Sequence, residues 1–294
     1  MAIPEAKQQA EPKTHPLPVR SVTVLMPLVE TAQAWFQRSC RKRALAGIPK
    51  DSSSAAWAFF RSGGTGIAFL DTLLRRQGGS DQLPIIDIRG DFGKTWTVVS
   101  LAARFVVATR PSQFPTAVGD HSSLPQVIVM DTTHDVTTSK VALSVRSTLL
   151  RQFGSAVEDS FEMDMISCLG RIHVATADDA FGWVPILETL RYKLAPLSAE
   201  GPTLILWDGF LSDAEHDEAN RMEIIRQLGR LVEDCSVVLV TASTGYRHKH
   251  EWNKYVTHHI RLDRNESNGT GHEFLATIHG SQIPFSLSAA GILS

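Results

Sequence analysis

From Pro84 onward the chain predicts an α/β fold, a mostly parallel central sheet flanked by helices, with further strands at the C-terminal end extending the sheet. Three observations carry that expectation. Apolar runs of four to seven residues alternate with helix-length stretches, the order that βαβ units produce. One run, Ile85–Arg89, opens into Gly93-Lys94-Thr95 and a helical stretch. Another, Thr203-Leu-Ile-Leu-Trp-Asp208, ends in a carboxylate.

In chain order, residues 1–20 contain Pro4, Pro12, Pro16 and Pro18 among polar and charged residues, a composition that predicts a disordered tail. Residues 21–60 are expected to form an N-terminal helical segment. Within it, Val24, Leu25, Leu28, Ala32, Trp35 and Phe36 recur at helical spacing and lead into Arg38, Arg41, Lys42 and Arg43. That basic cluster reads either as a solvated helix end favoured by the dipole or as a nuclear-import or DNA-contact patch. Residues 61–294 hold the core. Its predicted strands are Ile85–Arg89, Gln126–Asp131, Arg171–Thr176, Thr203–Asp208 and Val237–Thr241, with helices over Lys94–Val107, Ser139–Gln152, Phe181–Leu194 and Ala214–Glu233. Pro185 is expected in the first turn or so of its helix, where a missing N–H is tolerated. Tyr255–Leu262, Glu273–Ile278 and Ile283–Leu287 read as closely spaced terminal strands.

The segment from Gly90 to Thr95 resembles a phosphate-binding loop in its setting but not in its length. Such a loop is Gly, four residues, then Gly-Lys-Ser/Thr between a buried strand and a helix; here only Asp91 and Phe92 separate Gly90 from Gly93. Two missing residues remove about 7 Å of contour at ~3.3–3.6 Å each, together with two amide donors. Lys94 and Thr95 at a helix N-terminus can still hold an anion. The alternative is an ordinary βα turn that carries these residues by chance. Asp208, about 110 positions downstream, suits a strand-end carboxylate that holds Mg²⁺ together with the Thr95 hydroxyl, on a strand expected beside the loop strand. A strand-end turn is the alternative for Asp208.

Composition narrows the function classes. The 294 residues are 43% hydrophobic, enough for one large α/β domain or two small ones, and 29 Lys+Arg against 31 Asp+Glu exclude net charge as a driver of nucleic-acid binding. Cys40, Cys168 and Cys235 lie far apart, match no zinc spacing and suit a reducing compartment as buried thiols. No apolar run approaches the roughly 18 residues of a membrane span, and the polar, Pro-rich start is unlike a signal peptide, so no membrane role is expected. The sequons at Asn265 and Asn268 are discounted without a secretory setting. His248, His250, His258 and His259 lack companion ligands at metal spacing and read as ordinary surface or strand histidines. Asp178-Asp179, before the helix containing Pro185, reads as an N-cap.

Several further segments, taken in order, resemble the RecA-like strand-exchange recombinases of eukaryotes. Gly63-Gly-Thr-Gly-Ile-Ala-Phe-Leu-Asp-Thr-Leu-Leu74 resembles their "TG…LD.LL" segment. Val127-Ile-Val-Met-Asp131-Thr132 is similar to their strand ending "IDTE", and Val238-Leu-Val-Thr-Ala-Ser243 to a strand ending "TNQ". Ser167-Cys-Leu-Gly-Arg171 resembles the "CLGR" of the X-ray-repair cross-complementing type of recombinase paralog, and Trp252–Arg261 and Ser281–Leu293 resemble the family's final strands. The resemblance covers about residues 62–294 and implies a RecA-like P-loop ATPase core. It also implies a nucleotide site at Gly90, Gly93, Lys94, Thr95 and Asp208, with ATP and Mg²⁺ as the possible ligands and Thr95 and Asp208 at the metal.

The chain departs from the family's pattern at three points. The loop is short, Thr133 stands where an active recombinase has the Glu that orients the attacking water, and Ser243 stands where it has the Gln that senses the γ-phosphate. Thr133 cannot act as a general base near neutral pH. His134 and Asp135 are nearby substitutes, or else capping and turn residues of the next helix. Efficient hydrolysis is not expected, although an active DNA-dependent ATPase remains the alternative.

In the resembling family two loops after the fourth and fifth core strands bind single-stranded DNA. The acidic stretch Gly209–Asn220 is a poor surface for phosphates. Thr244–Lys254, with Tyr246, Arg247, Lys249 and Trp252, combines cations with rings that can stack on bases; a solvated loop with locally packed aromatics is the alternative. The resemblance implies hetero-oligomers with other recombinase paralogs, contact with single-stranded or branched DNA, a role in homologous-recombination repair, and a nuclear location. The family's folded N-terminal DNA-binding domain has no counterpart, which suggests a subunit that docks on a larger paralog. Val22–Phe36 is a candidate docking element, with core packing as the alternative.

Overall fold

The computed structural model describes residues 64–76, 84–110, 125–154, 158–177, 180–195, 203–211, 218–235, 237–243, 249–265, 273–288 and 291–293. The elements are α1 (Ala68–Arg76), β1 (Ile85–Gly90), α2 (Lys94–Ala108), β2 (Val127–Asp131), α3 (Thr138–Phe153), α4 (Glu158–Leu169), β3 (Ile172–Thr176) and α5 (Ala180–Leu194). They continue with β4 (Thr203–Asp208), α6 (Glu218–Asp234), β5 (Val237–Ser243), α7 (Lys249–Asn253), β6 (His258–Arg264), β7 (Glu273–Ile278), β8 (Ser281–Ser288) and β9 (Gly291–Leu293). The tail, the Val22–Arg43 segment and Asp178-Asp179 lie outside the described residues.

The strands form one sheet in the order β3-β2-β4-β5-β1-β6-β7-β8-β9. Pairing is parallel from β3 through β6 and antiparallel from β6 to β9. The α/β class, the mostly parallel sheet and the extending terminal strands are therefore as expected. Parallel strands buried on both faces read as nearly continuous apolar runs, and their alternate residues serve two cores. In β4, Leu204 and Leu206 join the core under α1, α2, α3 and α4, while Ile205 and Trp207 join the core under α5, α6 and α7. Five aromatic side chains run through the second core: Trp183, Trp207, Phe210 and Trp252 with successive centroids 4.9 Å apart, then Tyr255 at 6.0 Å.

Three helices were not among the expected elements, the shortest being α7 within the stretch 244–254 expected as a loop. α4 fills the stretch before β3 with a weak apolar pattern that leaves Met163 and Ile166 exposed, and α1 follows a turn in which Thr65 and Gly66 donate their N–H groups to the Asp71 carboxylate. Pro185 is the sixth residue of α5, in its second turn rather than its first. The cap of α3 is Thr137, whose hydroxyl accepts from the Lys140 N–H at 3.3 Å. His134 and Asp135 are thus turn residues, not caps. Cys168 and Cys235 are buried free thiols. Among the described residues, no helix is long and apolar enough to cross a membrane.

The Cys-Leu-Gly-Arg segment has a packing role. Arg171 is buried and donates to Thr109 O (3.1 Å), Thr109 Oγ1 (2.9 Å), Pro125 O (3.3 Å) and Val106 O. Its guanidinium thereby satisfies carbonyls at the C-terminal end of α2, where a cation also meets the negative end of the dipole. Arg171→Met keeps the stem but leaves these buried acceptors without a donor. The expected loss is ~3 kcal/mol of stability, measured by urea unfolding against the wild-type chain.

Candidate nucleotide site at the start of helix α2

Strand register brings the site together. Asp131 pairs with Asp208 and Asp208 with Ala242, while Ile88 also pairs with Ala242, so the ends of β2, β4, β5 and β1 lie level. Asp208 is not on the strand beside β1, as expected from sequence; β5 stands between them. The parity of the strands closes that gap. Asp208 and Asp131 follow Leu206 and Val129 by two residues and therefore face the side covered by α2.

Both loop glycines are required by backbone conformation. Gly90 has φ 126°, and a Cβ there would lie 2.0 Å from Leu262 O on β6. Gly93 has φ 74° and caps α2 without any side-chain hydrogen bond. Because β1 ends at Gly90 and α2 begins at Lys94, only Asp91, Phe92 and Gly93 lie between them. The first intrahelical bond is Thr97 N–H to Gly93 O at 2.9 Å. The N–H groups ahead of it have no acceptor within the helix, and the dipole places partial positive charge at this end.

A cleft of about 300 Å³ opens there, lined by Asp91, Gly93, Lys94, Thr95, Trp96, Thr133, Asp135, Lys140, Asp208 and Gly209. Lys94, Thr95, Gly93 and Asp208 are thus brought together as expected, while Gly90 closes the turn against β6. Lys94 is largely buried, and its ammonium donates to Ser243 O at 3.3 Å. Burial lowers its pKa, opposed by the charges of Asp208 and Asp91. Burial raises the pKa of Asp208, and the like charges of Asp131 and Asp135 add to this; the Thr95 hydroxyl and Lys94 oppose it. Only 1% of Asp208 is exposed, and its Oδ2 has no hydrogen-bond partner.

An orphaned carboxylate oxygen beside a threonine hydroxyl fits a magnesium ion carried in on phosphate. Thr95 and Asp208 would supply its protein contacts and Lys94 would meet the phosphate. Among the described residues there is no group of three or more His, Cys, Asp or Glu side chains placed to hold a metal by themselves. His258 accordingly sits buried in β6 with Thr257 Oγ1 2.7 Å from its Nδ1.

The two substituted positions are committed elsewhere. Thr133 donates its hydroxyl to Asp131 Oδ1 at 3.0 Å, and its N–H makes a second bond to the same oxygen at 3.1 Å. Asp131 also accepts the Val136 N–H at 2.9 Å, so this carboxylate organises the turn after β2. Ser243 follows Thr241 on the other face of β5, and its hydroxyl reaches Asp87 Oδ1 at 3.4 Å beside that of Thr241 at 2.9 Å. Only the main-chain carbonyl of Ser243 meets Lys94.

Trp252 must be withdrawn from the candidate stacking residues. It is 1% exposed, packed between Phe210 and Tyr255 as, among the described residues, the one side chain of α7 in the second core. Tyr246 and Arg247 lie outside the described residues, and Lys249 begins α7. Lys140 was not anticipated from sequence. Its one signal is a lysine in a helix's first turn, where the dipole disfavours a cation.

The Asp208 shift sets a stability test with a definite sign. A carboxylate whose folded pKa is raised binds more protons in the native state, so its contribution falls as pH rises from the ordinary carboxylate range through the raised value. Asp208→Asn removes that loss. The substitution is expected to raise stability at pH 7 by on the order of 1 kcal/mol, with the gain shrinking as pH falls toward the ordinary carboxylate range, read as melting temperature against pH.

The chain matches no family model and no curated protein.

Proposed function

We propose that this chain is a recombinase-paralog subunit with a RecA-like core, most similar to the X-ray-repair cross-complementing group 2 type. In this reading it works in homologous-recombination repair of DNA double-strand breaks in the nucleus, by assembly with other paralogs and contact with single-stranded or branched DNA. It holds a nucleotide without turning it over efficiently. The observation that carries this reading is the cleft in which Lys94, Thr95 and Asp208 converge while Thr133 spends its hydroxyl on Asp131. Binding groups are retained there, and the position expected to activate water is occupied by a turn-stabilising side chain.

In this reading Lys94 and the first turn of α2 hold phosphate oxygens, and Thr95 and Asp208 hold the metal. Magnesium, when bound, neutralises charge between the phosphates. Asp135 lines the cleft, and its like charge helps raise the pKa of Asp208; a second carboxylate there adds to the pull on a cation. Loss of the general-base contribution alone costs about 10²–10⁴ in rate.

The expected outcome is ATP turnover at background with and without single-stranded DNA, together with nucleotide binding that Lys94→Ala abolishes, followed by equilibrium dialysis and phosphate release. Tagged protein recovered from cells is expected to carry a recombinase-family partner. Turnover stimulated by DNA and lost in Lys94→Ala would favour an active ATPase instead, and recovery of no such partner would defeat the assembly reading.

A further inference from the structure

The cleft carries a cation that the loop motif does not supply. Lys140 stands in the first turn of α3, where the helix dipole opposes it. Its ammonium is nonetheless held at the cleft, donating to Asp135 O at 2.8 Å and lying 5.8 Å from the centroid of the Trp96 ring. Asp208, with its buried and unpartnered Oδ2, lines the same cleft. That oxygen is costly to bury unless a ligand brings it a cation or a donor.

We propose that the cleft is a diphosphate site: Lys94 and the first turn of α2 hold one phosphate, Lys140 holds the next, and a third phosphate adds no affinity. The inference rests on the nucleotide-site reading above and specifies what that site recognises. Three residues between β1 and α2, hinged on a Gly90 pressed against Leu262 O, concentrate the backbone donors at a single phosphate. The two positions at which the resembling family meets the third phosphate and its water are engaged elsewhere, Thr133 on Asp131 and the Ser243 hydroxyl on Asp87 on the other face of β5. Lys140, which reaches the same cleft from α3, supplies the second charge-assisted contact. The carboxylates that line the cleft repel a bare polyanion, so the ligand is a magnesium-complexed nucleoside diphosphate.

Titration calorimetry of the full chain with ATP, ADP and AMP in excess magnesium tests the proposal. ADP and ATP are expected to bind within about threefold of each other, AMP to bind at least about tenfold more weakly, and Lys140→Gln to weaken ADP by about tenfold with the melting temperature of the unliganded protein unchanged. ATP binding more than about tenfold tighter than ADP, or Lys140→Gln binding ADP like the wild type, overturns the diphosphate site. If Lys94→Ala still abolishes binding in that case, the nucleotide-site reading stands. Failure of all three nucleotides to bind the wild-type chain overturns both.

Discussion

Two-sided burial of the parallel strands, locked in one register, is the constraint on which the site depends. β2, β4, β5 and β1 each send alternate residues into opposite cores, so a one-residue slip in any of them would exchange its faces and turn its terminal polar residue away. Register keeps Asp131 level with Asp208 and both on the side of α2. The same parity turns Thr241 and Ser243 toward Asp87 on the far side. One periodicity thus separates a polar cluster on the side of α2 from a second one around Asp87 within a few strand residues.

The cluster on the side of α2 is held in an uncompensated state. Lys94 and the Thr95 hydroxyl favour the charged form of Asp208, but burial is the larger effect and the neighbouring carboxylates reinforce it. A protein interior seldom leaves a carboxylate oxygen without a partner, and such exceptions concentrate where a ligand completes the set. Asp131 shows the contrast. It lies one strand away with the same burial, yet three donors from its own turn occupy its oxygens, so it is structural where Asp208 is available.

The far face is built for rigidity. Aromatic packing from Trp183 to Tyr255 joins the end of β4, through Phe210, to α7, through Trp252. The segments that follow β4 and β5 therefore spring from one packed base. On that base Trp252 is an anchor, and any nucleic-acid contact in this region falls to residues other than its ring.

Read without its fold, the chain already determined the α/β class, five of the six parallel strands, most of the helices and the pairing of Lys94-Thr95 with Asp208. Periodicity and strand-end chemistry are local properties, and glycine positions such as Gly90 and Gly93 follow from backbone conformations few other residues adopt. Strand order was not local, so the insertion of β5 between β1 and β4 escaped the sequence, as did α4 with its weak apolar pattern. The direction of Ser243, the burial of Trp252 and the place of Lys140 in the same cleft as Lys94 were decided only by tertiary structure. Each depends on which residues from distant segments share a face, and hydrogen-bond partners tens of residues away leave no mark in the spacing of the chain.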